Sequence, residues 1–168
     1  MTQNPITTCS NCGAPARVVR GIYQFKESGL PNVSLMNIDM IRCKDCGNED
    51  PIIPRMNELM SVLALAVIKK PCPLNGKEVR FLRKFLRMTA EQFAAYVDVT
   101  RHHVSKWENG ADRIGDQSDR LIRAVALCLG DNLKGHIEEI VRAFPDIEET
   151  IRAIQYQIDA ETKEVQYI

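Results

Sequence analysis

Two segments near the start of the chain, residues 16–26 and 33–42, show alternating apolar and polar side chains, the first only in part. Alternation with a period of two is typical of a half-buried β-strand, and it predicts strands over residues 16–26 and 33–42. Between them, Glu27–Asn32 holds the glycine, proline and asparagine that favour a turn. The pattern therefore predicts a β-hairpin. Its apolar positions are Val18, Val19, Ile22, Tyr23 and Phe25, then Val33, Leu35, Ile38, Met40 and Ile41.

The apolar spacing lengthens to three and four residues after Pro54. A helical stripe follows, made of Leu59, Val62, Leu63, Ala66 and Val67. This spacing predicts a helix from Pro54 to about Lys69, which packs on its own domain or, as the alternative, on a partner. Pro71 and Pro73 cannot continue a helix, so they end it and mark a domain boundary.

Helical spacing resumes after residue 74 and is divided by two capping signals. Thr89 followed by Gln92 predicts a capping box at the start of a helix over Ala90–Val97. Thr100 predicts the cap of a further helix that ends at Asn109-Gly110. Because a short turn separates these two short helices, the pattern predicts a helix-turn-helix.

The residues after 132 predict a helical C-terminal extension. An amphipathic run over Leu133–Phe144 ends at Pro145, and Asp146 is suited to cap a second helix. One face of that second helix would carry Ile151, Ile154 and Ile158. Glu164–Ile168 has the composition of a short terminal strand. We interpret the extension as a dimerisation element, with packing on its own helical domain as the alternative.

Composition and charge are those of a soluble globular protein. Of 168 residues, 45% are hydrophobic and 26% are charged, and the longest apolar stretch, Leu59–Ile68, is too short to span a bilayer. The formal net charge is +0 overall, but it is +2 over residues 1–74, +3 over 75–135 and −5 over 136–168. This asymmetry favours a central segment that faces nucleic acid, with ordinary surface variation as the alternative.

Four of the six cysteines form two copies of a Cys-x-x-Cys-Gly turn, at Cys9, Cys12, Cys43 and Cys46. This spacing is typical of a structural zinc site with a closed shell of four thiolates. Two disulfides or four unrelated thiols are the alternatives. Because Thr2–Thr8 is polar and lacks the apolar core of a signal peptide, we expect a reducing, cytoplasmic compartment, which disfavours disulfides. We expect the remaining Cys72 and Cys128 to be small buried residues.

The helix after Thr100 carries the candidate nucleic-acid contacts. Val104 and Trp107 point inward. By helical periodicity the opposite face carries Arg101, His102, Ser105, Lys106 and Asn109. Such side chains donate to base edges or phosphates, and the free N–H groups at the helix start favour a phosphate. A solvated polar face is the alternative. No nucleophile or carboxylate pattern suggests catalysis, so we expect no enzyme activity.

These motifs resemble two known families. Thr89–Ala94, Val99-Thr100 and Val104–Gly110 resemble the xenobiotic-response-element, or lambda-repressor-like, helix-turn-helix family. The two cysteine pairs, together with Tyr23 and Glu27–Val33, resemble the YgiT-type zinc finger. In this order the two are similar to MqsA-type antitoxins and their stand-alone relatives, over about residues 9–130.

The resemblance implies one zinc ion on the four cysteines, a homodimer formed through the helix-turn-helix domain, and repression of the protein's own operon at a palindromic operator. It also implies that the N-terminal module holds an mRNA-cleaving toxin. The family's base-reading positions correspond to His102 and Lys106, with Arg101 and Ser105 as neighbours. With the capping Thr100, these are the candidate DNA-binding residues.

The sequence departs from the family pattern at three positions. His102 stands where an asparagine can occur, Lys106 where arginine is common, and Ala90 where glutamine is usual. Lysine offers a point charge rather than a planar fork, so the operator need not match the family's. Residues after about 132 have no counterpart in a minimal antitoxin.

The combined prediction is an α+β multidomain protein. It has a zinc-clamped β-hairpin module with a helix over residues 1–72, an all-α lambda-repressor-like helix-turn-helix domain over 73–132, and a helical extension over 133–168. The predicted function is a zinc-containing, sequence-specific DNA-binding transcriptional regulator, the antitoxin and autorepressor of a type II toxin-antitoxin operon. The alternatives are a stand-alone transcription factor and a redox- or metal-responsive repressor. Expected partners are double-stranded DNA, a second copy and a toxin, with no membrane.

Overall fold

The computed structural model of the protein describes residues 6–168, so the first five residues of the predicted N-terminal module lie outside the described residues. Within this range the chain is a mixed α and β protein with six α-helices and one six-stranded sheet. None of the helices in residues 6–168 combines the length and apolar character needed to cross a bilayer.

The strands and helices follow the predicted order through the first two thirds of the chain. The strands are β1 (Ile6–Thr8), β2 (Pro15–Gln24), β3 (Val33–Cys43), β4 (Glu49–Pro51), β5 (Tyr156–Asp159) and β6 (Val165–Tyr167). The helices are α1 (Met56–Lys69), α2 (Gly76–Phe85), α3 (Ala90–Tyr96), α4 (Arg101–Glu108), α5 (Asp116–Leu129) and α6 (Ile137–Ala143).

The sheet is built around the predicted hairpin. The strand order is β1-β2-β3-β5-β6, and β4 also pairs with β3. Strands β2 and β3 run antiparallel, from Ala16 opposite Cys43 to Gln24 opposite Ser34. Strands β4 and β5 pair with opposite halves of β3, β4 antiparallel and β5 parallel. The hairpin prediction is confirmed, and β3 is the strand that organises the sheet.

The chain divides into two compact units. The first comprises Met1–Lys26, Pro31–Leu59 and Gln155–Ile168, and the second comprises Glu27–Leu30 and Met60–Ile154. The sheet belongs to the first unit and helices α2–α6 to the second, while α1 begins in the first and continues into the second. The boundary expected after residue 72 falls inside the second unit. Whether the three predicted segments fold independently stays a prediction.

The second half of the C-terminal extension is not the helix that its isoleucine spacing predicted. Helix α6 is present in the first half, but β5 occupies Tyr156–Asp159 and pairs with β3. Ile154, Tyr156 and Ile158 are buried while Gln155 between them is exposed, which is the period-two pattern of a strand. The prediction failed because three isoleucines also fit helical spacing. The terminal strand is confirmed as β6.

The segment that joins α1 to α2 is irregular and nevertheless buried. Cys72 and Leu74 are 0% exposed, and Pro71 and Pro73 keep the chain out of a helix here. Buried backbone N–H and C=O groups need hydrogen-bond partners, and no ladder or helix can provide them in this segment. Charged side chains provide them instead.

Arg123, on α5, binds the carbonyl groups of this segment. Its guanidinium donates to the backbone oxygens of Ile68, Lys70 and Cys72 at distances between 2.6 and 2.8 Å. Its Nε also donates to Asp119, one turn earlier on α5, at 2.7 Å. The Arg123 and Asp119 side chains are 1% and 4% exposed, so the guanidinium closes the end of α1 inside the unit.

Two buried carboxylates bind the N–H groups of the same segment. Asp119 accepts a hydrogen bond from the backbone N–H of Leu74 at 2.6 Å, and Glu78 accepts one from Asn75 at 2.8 Å. Glu78 also pairs with the ammonium of Lys70 at 2.5 Å. Two positive and two negative side chains therefore neutralise one another while they satisfy the backbone between α1 and α2.

We expect Arg123→Ala to lower the free energy of unfolding by about 3–5 kcal/mol, because it leaves Asp119 as an unpaired buried charge and three carbonyls without a donor. Urea unfolding followed by the fluorescence of Trp107, the single tryptophan, measures this in the second unit. The control is Arg142→Ala, which removes an exposed pair with Glu138 and should cost less than about 1 kcal/mol. Equal losses in the two variants would contradict the role of Arg123.

Candidate metal centre and candidate nucleic-acid interface

The two cysteine turns have the same backbone geometry. The N–H of Cys9 donates to the carbonyl of Ala14 at 2.9 Å, and the N–H of Cys43 donates to that of Asn48 at 3.0 Å. Each turn is completed by a glycine in the left-handed region, Gly13 at φ 74° and Gly47 at φ 72°. A residue with a Cβ is strained there, so the glycine allows the backbone to fold back after the second cysteine of each turn.

The hairpin brings the two turns together. Ala16 at the start of β2 pairs with Cys43 at the end of β3, which places the turns side by side at the open end of the hairpin. The four Sγ atoms of Cys9, Cys12, Cys43 and Cys46 lie within 4.8 Å of one another. Cys9 and Cys43 are buried, whereas Cys12 and Cys46 are exposed. The four cysteines could therefore hold a metal ion.

The sulfur separations suit a tetrahedral thiolate shell. Sγ of Cys9 lies 3.6 Å from that of Cys46, and Sγ of Cys12 lies 3.6 Å from that of Cys43. For metal–sulfur bonds of about 2.3 Å, the edge of a regular tetrahedron is about 3.8 Å. The donor set of four soft sulfurs and no oxygen or nitrogen favours a thiophilic ion over Mg²⁺ or Ca²⁺.

Backbone N–H groups stabilise negative charge on these sulfurs. Donation from the N–H of Asn48, assisted by neighbouring side chains, lowers the pKa of the Cys46 thiol to about 6. At Cys12 the N–H of Ala14 lowers the pKa, but hydrogen bonds with the Cys46 and Cys43 sulfurs raise it overall to about 12. The opposite pKa shifts arise because a thiolate at Cys46 accepts a hydrogen bond from the Cys12 thiol, which favours the protonated form of Cys12. A divalent cation is what would allow all four to ionise together.

Polar side chains connect the loops around the cluster. Ser10, in the first turn, donates to the carboxylate of Asp50 on β4 and accepts a hydrogen bond from the side chain of Asn48 at 3.3 Å. Arg42 pairs with Glu49 at 2.7 Å. The loops on either side of the four sulfurs are thus joined independently of any ion.

We expect the protein to bind one divalent thiophilic ion per chain. Titration with Co²⁺ should produce the intense visible bands of a tetrahedral four-thiolate site. Cys46→Ser should weaken binding by at least about tenfold, since it removes a ligand. The matched control is Cys128→Ser, because Cys128 is exposed, contrary to expectation, and lies outside the cluster. Equal affinities in the two variants would contradict the four-cysteine site.

The two capping predictions are confirmed. Thr89 accepts a hydrogen bond from the N–H of Gln92, and Oε1 of Gln92 accepts one from the N–H of Thr89, which completes a capping box on α3. Thr100 accepts from the N–H of His103 at the start of α4. Each threonine thus satisfies one of the free N–H groups at the start of its helix. Asn75 and Glu78 form a further capping box on α2, which the spacing Asn-x-x-Glu could have revealed.

The turn between α3 and α4 is held by an unusual backbone conformation. Asp98 has φ 52°, and the N–H of Val99 donates to the carbonyl of Ala94 at 3.1 Å. This left-handed residue closes α3 and redirects the chain into α4 within three residues. Aspartate is among the few non-glycine residues that enter this region.

Helix α4 separates into a buried face and an exposed face. Val104 and Trp107 are 0% and 2% exposed, as predicted. The candidate DNA-binding residues are Thr100, Arg101, His102, Ser105 and Lys106. Lys106 is half-buried and the other four are exposed. The structure therefore gathers all five at the start and along one side of α4. Sequence periodicity alone was sufficient to find this face.

A further ion pair fixes α4 in place. Arg83, on α2, pairs with both carboxylate oxygens of Glu108 at 2.6 and 2.9 Å and also donates to the carbonyl of Met88 at 2.8 Å. Gly76, at the start of α2, lies so close to the carbonyl of Trp107 that an added Cβ would approach it to 1.9 Å. Sequence reasoning did not identify these contacts, because they join residues that are distant along the chain.

No protein-family model, curated protein or solved structure matches the chain.

We expect Asp98→Gly to raise the free energy of unfolding by about 0.5–1 kcal/mol, because glycine adopts the left-handed conformation without a Cβ clash. Asp98→Ala should lower it, since alanine keeps the Cβ and lacks the polar side chain that tolerates this region. Urea unfolding monitored at Trp107 compares the two variants. A glycine variant less stable than wild type would contradict the assignment of strain to Asp98.

Proposed function

We propose that the chain is a zinc-containing, sequence-specific DNA-binding transcriptional regulator with no enzyme activity. The observation that carries the proposal is the geometry of α3 and α4. Two capped helices, joined by a tight turn, present a continuous face of hydrogen-bond donors, from Arg101 to Lys106, on α4. This is the arrangement with which a helix-turn-helix places its second helix in the major groove.

Each candidate residue has a role in this proposal. His102 and Lys106 contact base edges, because they lie four residues apart on one helix face. Arg101 and Ser105 contact bases or phosphates beside them, and the N–H groups at the start of α4, next to Thr100, donate to a phosphate. The bidentate pair of Arg83 with Glu108 keeps α4 from rotating against α2.

Zinc is the ion that we assign to the four cysteines. It prefers a tetrahedral shell of thiolates, and a shell completed by four protein ligands has no position for water or substrate. Its role is therefore to stabilise the turns at the open end of the hairpin. The buried cluster at the cysteine turns contains only Cys9, Ala16 and Cys43, so metal binding contributes directly to the folding of this part.

The biological context that we propose is autorepression by an antitoxin. It is supported by the resemblance of the motifs to MqsA-type antitoxins, and it requires a homodimer on a palindromic operator, a toxin held by the N-terminal module and a cytoplasmic location. A two-fold dimer would need half-sites about one DNA turn apart. Expression of the protein with a candidate toxin from the adjacent gene tests this context, and failure to form a complex would favour a stand-alone regulator.

We expect Lys106→Ala to weaken binding to the specific site by about 1–3 kcal/mol and to reduce discrimination at one base position. The site is first obtained by selecting duplexes from a random pool with the wild-type protein, and affinity is then measured by fluorescence anisotropy. The control is Lys134→Ala, which removes the same charge from an exposed residue outside α4. Failure of the wild type to enrich any sequence would reject sequence-specific binding, and equal effects of the two variants would remove Lys106 from the site.

A further inference from the structure

Lys106 on the exposed face of α4 is already paired with a carboxylate. Its Nζ lies 3.3 Å from Oδ2 of Asp112, and the two side chains are 44% and 39% exposed. A base or phosphate that binds this ammonium must therefore replace Asp112 or approach a negative charge. An ion pair at this level of exposure is weak enough to be exchanged.

The backbone around Asp112 holds the carboxylate near Lys106. Helix α4 ends at Glu108 with Asn109 as its C-cap, and Gly110 follows at φ 72°. The N–H of Ala111 donates to the carbonyl of Lys106 at 2.9 Å. Two residues beyond Asp112, Ile114 is 4% exposed. Because Asp112 lies between the closed end of α4 and a buried anchor, the backbone on both sides keeps its carboxylate close to Lys106.

We propose that Asp112 is a specificity-determining residue that competes with DNA for the Lys106 ammonium, and that the ligand which displaces it is the major-groove edge of guanine. This inference rests on the proposed function. A single phosphate offers Lys106 no more than the carboxylate already provides, and Asp112 repels it. Guanine offers two acceptors, O6 and N7, in the groove that α4 would occupy.

The consequence is selective weakening of non-specific binding. Most of the affinity for arbitrary duplexes comes from neutralised phosphates. Asp112 removes one cation from that interaction, whereas a guanine at the correct position restores the contact. The carboxylate therefore increases the ratio of specific to non-specific affinity without contacting a base itself.

The test compares Asp112→Asn with Asp98→Asn on two duplexes, one selected by the wild type and one of scrambled sequence. Both variants remove one negative charge beside α4, and asparagine tolerates the left-handed conformation at residue 98. We expect Asp112→Asn to bind the scrambled duplex roughly two- to fivefold more tightly than Asp98→Asn does. The dependence of log K on log salt should also steepen by about 0.9, the value for one additional phosphate.

A double variant separates competition from simple charge removal. In Lys106→Ala/Asp112→Asn the gain on the scrambled duplex should fall to that of the Asp98→Asn control, because no ammonium remains to be released. When the guanines of the selected duplex are replaced, the wild-type protein should no longer prefer that duplex over the scrambled one. Thermal unfolding midpoints of all variants establish that each is folded.

Two failures can be told apart. Equal binding of Asp112→Asn and Asp98→Asn to the scrambled duplex would overturn the role of Asp112 while DNA binding stands. A folded wild type that binds neither duplex would overturn the proposed function and this inference together. Retention of the full gain in the double variant would show that Asp112 does not act through Lys106.

Discussion

The second unit depends on one guanidinium, because Arg123 is the donor that allows an irregular buried segment to exist between α1 and α2. Each carbonyl left without a partner there would cost about 1–3 kcal/mol, and Arg123 satisfies three of them. Desolvation of four charges offsets much of their mutual attraction, so such a network gives little net stability over an apolar core. Its effect is to define one path for the chain, which fixes where α2 begins and hence where Glu108 and α4 are held.

In the first unit, cysteine sulfurs are the groups that bind irregular backbone. Its irregular backbone lies in the two turns that close the hairpin, where the N–H groups of Ala14 and Asn48 donate to the sulfurs of Cys12 and Cys46. A cluster of four sulfurs within 4.8 Å suits ionisation only if a cation balances it. In both units, therefore, regular elements supply the apolar core, and a compact polar cluster specifies how irregular segments at their ends are arranged.

Local features of the fold could be predicted from sequence, and distant ones could not. The caps at Thr89 and Thr100 depend on residues three positions away, and the cysteine turns on residues within six, so their signals are complete in a short window. Strand β5 pairs in parallel with β3, with Val33 opposite Tyr156, and no local pattern distinguishes that strand from the helix that its isoleucines also fit. At the candidate interface, helical periodicity identified the face of α4, but the partner of Lys106 depends on the left-handed Gly110.

In the function that we propose, the charge distribution requires α4 to recognise DNA by local geometry. A chain with a formal net charge of +0 gains no general attraction to a polyanion, and long-range steering is weak at physiological salt. Binding must then come from a few groups placed at short range, and each ammonium or guanidinium matters individually. Under these conditions a single carboxylate beside Lys106 would change the balance between phosphate and base contacts. In a strongly basic domain one carboxylate would have little effect, because many other cations would contact the phosphates. The proposed role of Asp112 therefore depends on the near neutrality of the protein.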